Sequence, residues 1–213
     1  MNLDTLKWKI MQNTSQLKGY AMHDYMLVLQ PHEDLRNKIN EVRKKFSETY
    51  KANAALYDKP HIMLASFTQY AMAEERIVNR LNRIAMGYHP TRISLKDYGS
   101  FPSHTIYIQV TSKLPVQDLV KTIRAEAQLI MKADKEHKPH FILEPHISIA
   151  RKLQPWQYEK GWLDMSHRQF TGSFIADGML LLKRAAGEKH YQIVQRFAFQ
   201  NLPVHTTQGA LFS

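Results

Sequence analysis

The 213-residue chain contains no cysteine, which excludes disulfides, thiolate metal sites and a cysteine nucleophile. No run approaches the roughly 20 apolar residues of a membrane-spanning helix. The first 18 residues scatter Asp4, Lys7 and Lys9 among apolar positions and lack the continuous apolar stretch of a secretory leader. A cytoplasmic protein with no membrane partner is expected. Glycine is scarce, eight in all, and none builds the phosphate-cradling loop of a nucleotide-binding sheet. Acidic residues are also in deficit: 19 stand against 29 Lys and Arg, a formal charge of +10. That excess favours a polyanion such as RNA, or an anionic small substrate, through long-range attraction. Solvated helix faces account for it equally simply.

What is present has the periodicities of a folded domain. A chain of this length buries a sizeable core, and a single domain over 1–213 is expected, its core near 20–199 and its tail, 201–213, irregular. Leu3, Leu6 and Ile10 have the spacing of a short helix, and Tyr20 to Gln30 reads as a strand ending at Pro31. Leu35, Ile39, Val42 and Phe46 then recur at helical spacing, with Arg36, Lys38, Arg43, Lys44 and Lys45 assigned mostly to the outer faces. Ile77, Leu81 and Ile84 mark a second helix stopping near Gly87. Runs 92–96 and 104–110 predict a hairpin. Pro115 suits the first turn of a helix carrying Val116, Leu119, Val120, Ile123, Ala127 and Ile130. Phe170 to Arg184 and His190 to Phe199 predict a long hairpin around Gly187. This order predicts an α+β fold with helices packed outside antiparallel sheets.

Two stretches echo one another: Lys59-Pro-His-Ile-Met-Leu-Ala-Ser-Phe67 and Glu144-Pro-His-Ile-Ser-Ile-Ala-Arg151, their histidines 85 residues apart. Each is aliphatic and bounded by proline, which reads as a strand. Alternation puts His61 with Met63, and His146 with Ser148, on one face, leaving Ile62, Leu64, Ile147 and Ile149 for the core. The pattern resembles the two-histidine (2H) phosphoesterase superfamily, marked by two copies of His-x-Thr/Ser-hydrophobic. Within it, residues 145–151 are most similar to the second motif of the bacterial 2′-5′ RNA ligase-like group. The first copy departs from the pattern, because Met63 stands where Thr or Ser is expected. The resemblance implies a bilobal fold, two antiparallel sheets forming a central cleft to which each lobe gives one motif strand.

Two facing imidazoles suit paired acid and base work, since an ordinary pKa near 6.5 leaves one neutral and the other charged at small cost. The resemblance implies a metal-independent phosphodiesterase without a cofactor, acting on 2′,3′-cyclic or 2′-5′-linked ribonucleotide phosphates. His61 and His146 would be base and acid in an unassigned order, and Ser148 would donate to the phosphoryl oxygens; Met63 cannot. Arg151 is a candidate phosphate clamp, although strict alternation turns it away unless the strand bends after Ala150. A monomer is expected, with RNA or a small cyclic or 2′-5′ nucleotide as its substrate; the alternative is a catalytically weakened 2H-fold module that only holds a nucleotide or RNA, a reading that Met63 favours. Other residues carry less. His137-Lys-Pro-His140 reads as a solvated loop, and Lys183-Arg184 as solvated charges at a strand end. Tyr25, Phe67, Phe101 and Tyr107 are either core or base-stacking residues at the rim.

Overall fold

The computed structural model describes residues 19–52, 58–185 and 187–202. The expected short helix around Leu3–Ile10 and nearly all of the tail expected over 201–213 lie outside them. Nine strands and four α-helices are described: β1 Met22–Leu29, α1 Glu33–Tyr50, β2 Ile62–Tyr70, α2 Glu74–Gly87, β3 Thr91–Phe101, β4 Thr105–Val110 and α3 Lys113–Met131. There follow β5 His140–Phe141, β6 His146–Arg151, α4 Pro155–Met165, β7 Thr171–Ala176, β8 Gly178–Ala185 and β9 Gln192–Ala198. The strands form two antiparallel sheets, ordered β5-β2-β1-β8-β9 and β6-β4-β3-β7. The α+β fold with two sheets and outer helices is as expected.

The helices are exchanged between the two halves of the chain. Helix α1 precedes the first motif strand, yet it packs on β6 and β7, in the sheet that carries the second motif. Helices α2 and α3 pack on each other and against the five-stranded sheet, through β9 and β2 respectively. The two motif strands, β2 and β6, approach within 8 Å of each other between Cα atoms. Leu35, Ile39 and Phe46 of α1 and Ile77, Leu81 and Ile84 of α2 are buried, as their spacing requires. His32 caps α1, its Nδ1 accepting from the Leu35 backbone N–H at 3.4 Å.

Two elements depart from the sequence reading. The run 170–184 is not one arm of a hairpin: it divides at Asp177, β7 closing one sheet while β8 crosses to the other. Only β8 and β9 form the hairpin around Gly187, whose φ of 86° is left-handed and suits glycine. Helix α4 is short, and exposed Trp156 and Leu163 blur the apolar stripe of Tyr158, Trp162 and Met165 that packs on the core. Its buried residues are Gln157, Gly161 and Met165, one turn apart, and a Cβ on Gly161 would lie 2.6 Å from the Phe46 ring. A polar residue and a glycine thus share the contact with that stripe, and hydrophobic periodicity registers neither of the two. The Gln154 and Gln157 side chains complete a capping box, with Pro155 opening the helix.

Candidate active site

His146 opens β6 and His61 immediately precedes β2, each one residue after a proline that offers no ladder donor. The two imidazoles are held alike. His61 Nδ1–H donates to the Lys59 carbonyl at 2.7 Å, and His146 Nδ1–H to the Glu144 carbonyl at 2.8 Å. The carbonyl two residues back therefore selects the same tautomer in both rings and leaves Nε2 as the atom able to exchange a proton. Burial lowers the pKa of both. At His61 the neighbouring Arg43 and Arg151 lower it further against the opposing pull of the Lys59 carbonyl and Asp58, whereas at His146 the Glu144 carbonyl and carboxylate raise it.

The same irregularity follows each histidine. In β2 the pairing with β1 passes from Met63 opposite Val28 to Ala65 opposite Leu27, so Leu64 is an extra residue. In β6 the pairing with β4 passes from Ser148 opposite Tyr107 to Ala150 opposite Ile106, so Ile149 is extra. Both bulges fall at the third residue after the histidine, and each buries two consecutive residues, Leu64-Ala65 and Ile149-Ala150. A bulge shifts the alternation by one, so Ser66 and Arg151 return to the face that carries His61 and His146. Arg151 thus enters the cleft, which strict alternation denied it.

One pocket gathers His61, Ser148 and Arg151 with two residues that sequence reasoning had not placed there, Arg43 and Asp58. The Arg151 guanidinium is ion-paired with the Asp58 carboxylate. Arg43, read from the sequence as part of a basic exterior, is instead only 3% exposed. Its Nε and Nη2 donate to the Ser148 carbonyl at 2.9 and 2.7 Å, and its Nη1 to the Asp58 carbonyl at 2.7 Å. Burial, with Arg151 nearby, pulls its pKa down to about 10, so it stays charged at neutral pH. Arg43 stands one turn after Ile39 and three residues before Phe46, so helical spacing sets it beside the buried face, opposite Lys44, and the packing of α1 on β6 buries it.

His146 lies with its ring against Phe101 and Tyr107, at centroid distances of 5.0 and 4.9 Å. Of the four aromatics considered, Tyr25 and Phe67 instead stack on each other in the core. Tyr107 needs Gly99 beneath it, because a Cβ there would come within 2.6 Å of its ring. Gly99→Ala is expected to push Tyr107 toward His146 and reduce turnover by roughly tenfold, the effect of a small displacement of a reacting group. Steady-state kinetics matching the parent would show that Tyr107 does not seat His146.

Two larger cavities adjoin this pocket. One, of about 220 Å³, reaches from His61, Asp58 and Lys59 over an apolar floor of Met26, Val28, Leu180, Leu182 and Ile193, with Tyr191 and His190 at its wall. The other, of about 870 Å³, includes Met63, Ser66 and Arg151. Lys183 and Arg184 are not simply solvated charges: Lys183 pairs with Glu74 at 2.8 Å and Arg184 with Asp24 at 2.9 Å. His137 lies in a loop, paired with Asp134 at 2.8 Å, and His140 opens the short β5.

A cleft between two antiparallel sheets, each giving it a strand that opens on Pro-His-Ile, defines the two-histidine phosphoesterase class. The family model for the 2′-5′ RNA ligase superfamily matches residues 31–188, and the chain belongs to that family. Escherichia coli LigT complexed with 3′-AMP superposes with a TM-score of 0.63 at 17% identity, over 84% of this chain and 98% of that one. Its NADP+ complex gives 0.58 at 17%, over 84% and 99%. A Bacillus licheniformis protein provisionally named a phosphoesterase is 25% identical over 160 residues, 70% of this chain and 86% of its own length. Among the described residues no helix is long and apolar enough to cross a membrane.

Proposed function

We propose that the chain is a metal-independent phosphodiesterase that opens 2′,3′-cyclic or 2′-5′-linked ribonucleotide phosphates, working as a cytoplasmic monomer. The observation that carries this reading is the matched pair of imidazoles, each with Nδ1–H fixed by a backbone carbonyl and Nε2 left for chemistry. His61, beside Arg43 and Arg151, is the better base, since cations favour its neutral form. His146, beside the Glu144 carboxylate, is the better acid. In hydrolysis, His61 Nε2 takes a proton from water as the water oxygen bonds to phosphorus. The ring P–O bond breaks, and His146 gives its Nε2 proton to the leaving ribose oxygen. Ser148 and Arg151 bind the non-bridging oxygens, with Asp58 yielding Arg151 to the phosphate. Ligation is the same step with a ribose hydroxyl entering in place of water, and its reverse cleaves a 2′-5′ link. The LigT complexes with 3′-AMP and NADP+ support a nucleotide ligand, and the apolar floor beside His61 suits a base.

The test is hydrolysis of a short oligoribonucleotide ending in a 2′,3′-cyclic phosphate, in the presence of chelator. Metal-free turnover is expected. Met63 favours a second reading, a module that holds the nucleotide without turning it over, because a thioether gives no hydrogen bond to a phosphoryl oxygen. Binding without turnover would establish that module. If the protein is an enzyme, Met63→Thr restores a donor beside His61 and is expected to raise kcat by about tenfold, the net effect of roughly 1.5 kcal/mol for one good hydrogen bond. A rate no higher than the parent's would show that Met63 leaves no donor missing.

A further inference from the structure

The larger cavity has a lining that one phosphate does not explain. Beyond Arg151, which the pocket at His61 already employs, it is lined by Lys152, Arg184 and Lys189, together with Ser66 and Tyr191. Two carboxylates, Asp58 and Glu188, also line it. Asp58 is paired with Arg151, and Arg184 is paired with Asp24 while its guanidinium lies 4.8 Å over the Tyr191 ring. Among the described residues, Lys152 and Lys189 have no ion-pair partner and the Ser66 hydroxyl has no hydrogen-bond partner.

The backbone presents these groups at some cost. Lys152 has a φ of 56°, a left-handed conformation that a side chain other than glycine rarely adopts. It lies three residues after the bulge at Ile149 that turns Arg151 inward. Ser66 is on the cleft face only because of the matching bulge at Leu64. The two cavities share Met26, Asp58, His190 and Tyr191, so a nucleoside on the apolar floor lies next to the cationic wall.

We propose that the 870 Å³ cavity is a second anion subsite, formed by Lys152, Arg184, Lys189 and Ser66, that takes another phosphate group of the same substrate. This rests on the phosphodiesterase reading, which places the first phosphate at His61, Ser148 and Arg151. The preferred substrate is then a nucleotide with phosphate on both sides of the ribose, the second being either a terminal 5′-phosphate or the next internucleotide diester.

Binding of non-cleavable ligands tests this apart from turnover. Dissociation constants would be measured for adenosine 3′-monophosphate, adenosine 3′,5′-bisphosphate and the dinucleotide ApAp, with the parent, Lys152→Gln, Arg184→Gln, Lys189→Gln and the distant exposed control Lys160→Gln. The second phosphate is expected to tighten binding by about tenfold, as charged hydrogen bonds do. That gain should shrink as salt rises, fall severalfold in each subsite variant and persist in Lys160→Gln. Tightening by the bisphosphate identifies a terminal phosphate; tightening by ApAp alone identifies a diester. Equal affinities for all three ligands, no binding of any, or a gain that survives all three subsite substitutions would overturn the subsite. A gain without turnover of any cyclic phosphate would keep the subsite and overturn the phosphodiesterase reading.

Discussion

Alanine at either His61 or His146 is expected to lower kcat/KM for a 2′,3′-cyclic phosphate by about 10²–10⁴-fold, the usual contribution of one positioned acid or base. The double variant should lose little more than the worse single one, because in the proposed mechanism the two act in a single proton-coupled step. The pH profile carries the sign of the shifts. Burial places both imidazoles below their ordinary pKa of about 6.5. In the free protein the base limb, where His61 must be neutral, and the acid limb, where His146 must be charged, therefore both lie to the acid side of that value. The kcat/KM bell should peak below about pH 6.5. A bound phosphate favours imidazolium, so the bell for kcat should sit at higher pH than that for kcat/KM. Bells at the same pH, or turnover untouched by both alanines, would place the chemistry elsewhere.

The same shifts bear on stability. An imidazole whose folded pKa is depressed binds its proton more readily when unfolded, so stability is full above the unfolded value near 6.5 and declines as pH falls through the folded one. Acid destabilisation should begin just below pH 6.5 and be milder in His61→Gln.

Arg43→Met is expected to destabilise the fold by about 3 kcal/mol, read from urea denaturation. The Ser148 carbonyl loses two donors and the Asp58 carbonyl one, and an orphaned buried polar group costs about 1–3 kcal/mol. Methionine refills much of the volume and removes a buried charge, whose desolvation is what draws the guanidinium's pKa down to about 10. That relief limits the loss to the lower half of what two orphaned carbonyls alone would give. Arg43→Lys should recover little of it, since one ammonium does not reproduce a fork spanning two carbonyls. Catalysis should fall as well, because Arg43 ties the strand of one motif to the approach of the other. A change under about 1 kcal/mol would mean that the backbone relaxes to satisfy both carbonyls.

The motif strands were legible because their information is local. Proline marks where a ladder begins, alternation sorts His61 and Met63 from Ile62 and Leu64, and the same pattern recurs at His146. Helices α1, α2 and α3 announced themselves through apolar spacing, while α4 did not, since exposed Trp156 and Leu163 blur its apolar stripe and Gln157 and Gly161 take part of its contact. Asp177 gives no sign that the strands on either side of it belong to different sheets; that division depends on which partners remain unpaired when the chain arrives there.

The histidine pair and the side of each strand on which it stands were thus legible in the sequence alone, through strand parity and side-chain chemistry, as was the thioether at Met63. Tertiary structure decided the rest of the site. Bulges at Leu64 and Ile149 exist only against β1 and β4, and they turn Ser66 and Arg151 inward. The crossing of α1 onto β6 buries Arg43, which helical spacing sets only beside the apolar stripe. Parity and amphipathic spacing are properties of a single element, whereas register, bulges and the burial of a charge belong to the contact between two.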